Sequence, residues 1–288
     1  SLDYPWINYK TSIGKVVISD GVTSIGERAF YICSNLEAVT IPGSVTTIGK
    51  SAFYSCSSLE SVTIADGVKV IGNSAFSECE SLKSIIIPDS VTLIENSAFY
   101  YCDALTTVKL SNNIKEINNS TFYYCRSLKE IIIPEGVIRI GANAFSSCIS
   151  LTEVTIPEST TKIADRAFEY CKGLTCVTIG DSLTSIGEAA FNGCYNLTKL
   201  VIADGSLLLT KAILKSTSRL SDYLTEIVIP DSIVTIEDGA FRSCYRLAKI
   251  SLSDNNANFC IVDGILFNKG TTKIIYTPRS FSGEYIIP

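Results

Sequence analysis

Three residue types recur in this sequence at a spacing that lets like side chains meet. The first is cysteine. Cys33, Cys56, Cys79, Cys102, Cys125, Cys148, Cys171 and Cys194 follow one another in steps of 23, and Cys244 rejoins the series after a slip. Converging thiolates would hold a metal ion, and facing thiols would close disulfides. A single file of thiols on parallel backbones does neither, because its Cβ vectors do not point at one another, and the chain has no C-x-x-C pair. The expected state is reduced and buried, with each cysteine acting as a small apolar side chain. Cys176 and Cys260 stand off the series. Cys176 takes an outward position where a thiol could react, but no His or adjacent Lys is there to lower its pKa.

The second series is acidic: Asp20, Asp66, Asp89, Glu135, Glu158, Asp181, Asp204, Asp231 and Asp254. Pro-Asp-Ser and Pro-Glu-Gly contexts mark tight turns, in which a carboxylate accepts local N–H groups. A ridge of carboxylates also suits weak calcium binding, with Asp66, Asp89, Glu135, Glu158 and Asp181 as the ligands. The EF-hand spacing and the nonapeptide calcium repeat are both absent. The third series is aromatic. Tyr31, Tyr54, Tyr100, Tyr101, Tyr123, Tyr124, Tyr170, Tyr195 and Tyr245 flank the cysteines and account for nine of the 14 tyrosines. Tyrosine is large and amphipathic, so such a stripe either shields the apolar column beneath it or recognises a partner.

Composition removes many other chemistries. The chain has no histidine, which excludes Ser-His-Asp and Cys-His catalysis and His-bearing zinc sites by its own residues. No glycine-rich phosphate loop or nucleophile elbow occurs, and the carboxylates are strung out rather than paired. The net charge is −5 and the basic residues do not cluster, which argues against nucleic acid and anionic membranes. No apolar run approaches the ~18–20 residues needed to span a bilayer. Methionine is absent even at position 1, so the chain is expected to be part of a longer or processed protein.

A repeat positions all three series. Phe30, Phe53, Phe76, Phe99, Phe122, Phe145, Phe168 and Phe191 also step by 23, each trailed by a leucine from Leu36 to Leu197. The pattern slips and returns at Phe241, Cys244 and Leu247. Within one unit, Leu36, Val39 and Ile41 point one way, Pro42-Gly43 turns the chain, and Val45, Ile48, Ala52, Phe53 and Cys56 follow. The alternation at 39–41 predicts a short strand. The small, compact stretch 51–57 predicts a helical turn or 3₁₀ piece. No unit can bury its apolar side chains alone, so the units must stack into a continuous core. Strand positions fall at Ile18, Ile41, Ile64, Ile87, Leu110, Ile133, Ile156, Ile179, Ile202, Ile229 and Leu252. At ~4.8 Å per strand the sheet would run roughly 50 Å.

The order Leu-x-x-Val-x-Ile-Pro, Val-x-x-Ile-Gly, Ala-Phe-x-x-Cys resembles the BspA-like, or Treponema-type, leucine-rich repeats over about residues 15–288. The resemblance implies an α/β repeat solenoid: a curved stack of 23-residue units, a parallel sheet of short strands and a small C-terminal β-hairpin insert. Where the commoner repeat has Asn or Cys after the strand, this chain has Ser44 and its equivalents, and its cysteines precede the strand. The resemblance also implies an extracellular or cell-surface protein engaged in adhesion.

Three places break the pattern. From Leu209 to Leu224 the unit is longer and lacks Phe and Cys; Leu214 falls in the Phe register, and Lys211, Lys215 and Arg219 make it basic. Residues 256–276 read as a three-stranded meander, with Asp263-Gly264 as a hairpin turn. Residues 285–288 read as the start of a further unit. The expected organisation is an N-terminal cap segment at 1–14, a solenoid at 15–255 with an irregular repeat at about 203–229, and the meander with the next repeat at 256–288. On the open sheet face, Ile86 and Ile132 are apolar where solvent is expected. The expected function is a non-catalytic, cofactor-free extracellular scaffold, monomeric and adhesin-like. Its partner would be a protein or glycan, host matrix proteins included. Tyr100, Tyr101, Tyr123, Tyr124, Ile86, Ile132, Lys211, Lys215 and Arg219 are the candidate contacts. The alternatives are a structural spacer that presents other domains and a regulatory module of an enzyme.

Overall fold

In the computed structural model the described residues are 9–205, 208–209, 214, 218–253 and 256–279. They coil into a solenoid in which each turn of 23 residues has three sides. The first side is the main parallel sheet. Its strands Lys15–Val17, Ala38–Ile41, Ser61–Ile64, Ser84–Ile86 and Thr107–Lys109 form one five-stranded block. Glu153–Ile156, Cys176–Ile179, Lys199–Ile202, Glu226–Ile229 and Lys249–Leu252 form a second. Register is residue for residue: Val39 pairs with Val62, and Val177 with Leu200. The second side carries two-residue strands such as Thr47–Ile48 and Arg139–Ile140, also in parallel ladders.

The third side differs from the helical turn expected over 51–57. It is a run of turns. Two residues per unit take left-handed backbone, for example Ser51 and Ser55, Ser97 and Tyr101, Ser120 and Tyr124. Each left-handed residue ends any helical run and aims its N–H along the solenoid axis, so the next turn accepts it. Ser51 N donates to Asn73 O at 2.8 Å, Phe53 N to Ala75 O at 2.8 Å and Ser55 N to Ser77 O at 2.8 Å. Between these bonds, Tyr54 N reaches back to Ser51 O at 3.2 Å and closes a tight turn. The helix is therefore replaced by a ladder that alternates local and inter-turn bonds. A short 3₁₀ piece does occur at Leu220–Asp222.

The core is a set of columns. Phe53, Phe76, Phe99, Phe122, Phe145, Phe168 and Phe191 are fully buried. Their rings stack nearly parallel, at 5.1 Å between Phe53 and Phe76 and 5.6 Å between Phe76 and Phe99. Beside them the seven thiols from Cys56 to Cys194 each donate to the carbonyl of the previous unit's phenylalanine, as Cys102 does to Phe76 at 3.2 Å and Cys171 to Phe145 at 3.1 Å. A cysteine here fills an apolar slot and satisfies a carbonyl together, which neither Ala nor Val does.

Two interruptions depart from the continuous sheet that the repeat implies. Ile131 and Ile133 are buried, yet the stretch 130–133 forms no strand, so the main sheet splits into its two blocks there. One unit earlier, the second-side ladder breaks between Leu93–Ile94 and Glu116–Ile117. There the Asn118 side chain donates to Ile94 O at 2.7 Å, the type of carbonyl that the Gly49 and Gly72 backbone N–H groups meet elsewhere.

The long unit is absorbed ahead of Ser218. Phe191 N bonds Ser218 O at 3.0 Å, as Phe168 N bonds Ala190 O at 2.8 Å, so Ser218 holds the alanine position of the backbone register. The register is thus not carried by Leu214, although Leu214 and Leu220 are both buried. The meander is present as Phe259–Val262, Ile265–Asn268 and Ile274–Tyr276, all antiparallel. It packs on the last full unit: Tyr276 lies 5.2 Å from Phe241, and its hydroxyl donates to Leu247 O at 2.7 Å. Parts of the expected terminal segments, residues 1–8 and 280–288, lie outside the described residues.

The sheet interruption has a measurable consequence. The amides of Ile131, Ile132 and Ile133 are expected to exchange with deuterium at least about tenfold faster than those of Val154, Thr155 and Ile156. Equal protection would show that the ladder runs unbroken.

Candidate binding edge

The third side positions the tyrosines. Each lies beside the buried Phe–Cys turn, and Tyr101 and Tyr124 occupy left-handed positions held by inter-turn bonds, Tyr101 N to Tyr123 O at 2.8 Å and Tyr124 N to Ser146 O at 2.9 Å. A bulky residue in this conformation costs about 1–2 kcal/mol, so the surrounding ladder must impose it. Two consecutive units carry Tyr-Tyr, which gives four half-buried rings in two parallel stacks. Tyr100 lies 4.9 Å from Tyr123 and Tyr101 lies 4.4 Å from Tyr124, with interplanar angles of 8° and 9°. The stacks touch across their edges, at 4.8 Å for Tyr100–Tyr101 and for Tyr123–Tyr124. Arg126 covers Tyr124 at 4.9 Å. Each stack covers one face of each of its rings, and Arg126 lies over Tyr124 as well.

Burial raises the pKa of Tyr100, Tyr101 and Tyr123, so all three hydroxyls stay protonated donors near neutral pH. The neighbouring Tyr31–Tyr54 stack ends differently. Tyr54 donates a short hydrogen bond to the Glu78 carboxylate, and that bond, with burial behind it, pushes its pKa up to about 12.

The sequence-derived sites separate in space. The tyrosine quartet is one contiguous surface. Ile86 and Ile132 stand on the open sheet face, 64% and 82% exposed, with Lys109 on the strand between them. Arg219 is held by Asp222 at 3.2 Å, while Lys211 and Lys215 lie outside the described residues. The calcium ridge does not converge. Among the described residues no group of three or more His, Cys, Asp or Glu could hold a metal ion. Three carboxylates of the wider acidic series accept hydrogen bonds instead: Asp89 takes the N–H of Asn112 in the next unit at 2.8 Å and its side-chain amide at 3.2 Å, bonds that lower its pKa. Asp181 accepts the Ser182 hydroxyl at 3.1 Å, and Asp231 accepts that of Ser253. One feature that the repeat pattern did not disclose is a cleft of about 280 Å³ beside the sheet interruption, between 130–135 and 153–157. No helix among the described residues is long and apolar enough to cross a membrane.

Stacked 23-residue turns, strand columns and an Ala-Phe-x-x-Cys turn define a leucine-rich-repeat solenoid. More narrowly, the BspA type leucine-rich repeat model matches residues 7–129, 115–222 and 211–282, and the chain belongs to that family. Similar solved structures include a leucine-rich cell-surface protein of Faecalibacterium prausnitzii, at 26% identity over 85% of this chain and 89% of that one, TM-score 0.40. A leucine-rich repeat protein of Bacteroides ovatus matches at 27% identity over 85% and 75%, TM-score 0.45. The leucine-rich repeat protein of T. pallidum matches at 25% over 81% and 83%, TM-score 0.47. No curated protein matches the chain.

Two titrations test this geometry. The Tyr54 phenol is stabilised in its neutral form when folded. Its contribution to stability is therefore whole below about pH 10 and is lost as pH rises through about 12. Tyr54→Phe is expected to remove one phenol from the highest-pH limb of the phenolate absorbance curve; an unchanged limb would place that titration elsewhere. For the thiols, burial raises the pKa of Cys56, Cys102 and Cys244 to about 12. An aromatic disulfide reagent should reach Cys176 and Cys260 in the folded protein, and all 11 cysteines after unfolding. A shortfall after unfolding would reveal disulfides.

Proposed function

We propose that this chain is a non-catalytic binding scaffold at a cell surface, with a protein as its ligand and the tyrosine edge as its contact. The observation that carries this reading is the quartet Tyr100, Tyr101, Tyr123 and Tyr124 on two adjacent turns. Four rigid amphipathic side chains held by a common ladder lose little entropy on binding, which favours tyrosine in recognition surfaces. Large rings that keep their hydroxyls protonated offer the mixed apolar and polar contact that favours tyrosine in protein interfaces. Placement at a cell surface, and a role in adhesion, follow the family resemblance. Arg219, already paired with Asp222, is the weaker contact.

The test is a solid-phase panel of fibronectin, fibrinogen, collagen, mucin and common glycans. Replacing all four tyrosines by Phe keeps the stacks and removes the hydroxyls. A saturable protein ligand whose affinity falls at least about tenfold in that variant supports the reading. A ligand bound equally well by the variant would move the site elsewhere. Silence across the panel would favour the spacer.

A further inference from the structure

We infer that the tyrosine edge carries a seat for an arginine side chain of the partner protein, formed by the Glu78 carboxylate with the phenols of Tyr54 and Tyr100. This rests on the scaffold reading and names the chemistry that the edge would recognise.

The first observation is how the molecule treats its own arginines. Arg126 lies over Tyr124 at 4.9 Å, Arg28 over Tyr31 at 5.6 Å and Arg279 over Tyr245 at 4.6 Å, all three rings belonging to the tyrosine series. Off that series, Arg246 lies over Tyr223 at 5.9 Å. A carboxylate accompanies two of these pairs: Asp103 is 3.9 Å from Arg126, and Glu27 is 3.9 Å from Arg28. Ring and carboxylate then act on one cation, the ring through its negative face and the carboxylate through its charge.

The second observation is a ring-and-carboxylate group of the same kind with no arginine of its own. Tyr54, Ser77 and Tyr100 hold one register position on three successive turns. The Tyr31–Tyr54 stack, at 5.1 Å, and the Tyr100–Tyr123 stack therefore end on either side of a turn whose residue is serine. Glu78 follows that serine. It accepts the Tyr54 hydroxyl, and after burial its charge is the next cause of the raised Tyr100 pKa, so the carboxylate lies near both phenols. Ser77 is 2% exposed, whereas Tyr54, Glu78 and Tyr100 are half-buried, so these three side chains form the surface there. Among the described residues no Lys or Arg pairs with Glu78.

The third step selects arginine over lysine. A guanidinium is planar and weakly hydrated, so it can lay its face on a phenol and aim N–H donors at a carboxylate together. An ammonium is a compact, strongly hydrated point charge and does one of these at a time. The internal pairs agree, since the cation over each of the four rings is arginine. Partner arginines are also among the residues that carry the most binding energy in protein interfaces, next to tyrosine itself.

The probe is the peptide acetyl-Ala-Arg-Ala-amide, titrated into the whole chain carrying ring-¹³C-labelled tyrosine. The expected result is a saturable shift of the Tyr54 and Tyr100 ring signals. Citrulline in place of the peptide's arginine keeps the shape and removes the charge, and should weaken binding at least about tenfold. Lysine in its place should weaken it at least about threefold. Glu78→Gln keeps an oxygen for the Tyr54 hydroxyl and removes the charge, and should also cost at least about tenfold. The citrulline comparison leaves the protein untouched, so it decides the matter even if that variant misfolds. No saturable shift would overturn the inference. So would equal binding of the citrulline peptide, a Glu78→Gln variant that folds and binds as before, or shifts centred on other tyrosines. Failure here and failure of the tyrosine-edge reading are separable. A panel protein that needs the quartet hydroxyls but binds Glu78→Gln unchanged would support that reading and overturn the arginine seat. A probe that needs Glu78 while the panel stays silent would support the seat alone.

Discussion

Every feature of this molecule depends on one spacing: the distance from a turn to the next must be the same on all three sides. The sheet side sets it near ~4.8 Å through its hydrogen bonds. The phenylalanine column sets it by ring contact, at 5.1–5.6 Å. These values are close enough for one stack. Left-handed residues on the third side reconcile the two, because they let local turns hand their N–H groups to the next unit. Burial in the Phe, Leu and Ile columns then supplies stability that no single unit could have.

A structure so uniform makes its irregularities informative. Both sheet ladders fail within neighbouring turns, the second side at 94–116 and the main sheet at 130–133. The third-side ladder does not fail: Phe99 N still reaches Thr121 O at 2.9 Å, and Phe122 N reaches Ala144 O at 2.8 Å. Cohesion across the interruption therefore falls to the rings and to that ladder.

Much of this was legible in the sequence because a side chain repeated every 23 residues must form a column. The Phe, Cys and Leu columns follow from period alone, and so does a strand at or ending one residue before every expected position except Ile133. What escaped had no signature in residue type. Ser51, Ser55 and Tyr101 are not glycines, so their left-handed backbone could not be inferred, and 51–57 read as helical. The run Ile131-Ile132-Ile133-Pro134 matches Ile85-Ile86-Ile87-Pro88, of which only the latter contains strand residues. Their difference lies in the adjoining unit, where Ser111 and Asn112 stand in place of Pro-Asp. The Ser111 hydroxyl there turns back to Val91 O at 2.6 Å. Leu214 counted correctly from the repeat, but an insertion moved the register to Ser218. The tyrosines could be counted, while their pairing into two stacks depends on ring orientation that spacing does not fix.

The doubled tyrosines and the broken ladders coincide, and the coincidence has a physical sense. A turn that gives up backbone bonds to leave open main-chain groups on its sheet face weakens its own attachment. Two extra ring pairs at 4.9 and 4.4 Å on the opposite side restore contact between the same units, with stacking of roughly 0.5–1.5 kcal/mol per pair beyond area. The quartet thus has a structural duty whether or not it meets a ligand. A substitution that destroys the rings would loosen the column. One that removes only the hydroxyls separates cohesion from recognition, since Phe preserves the stack and its packing.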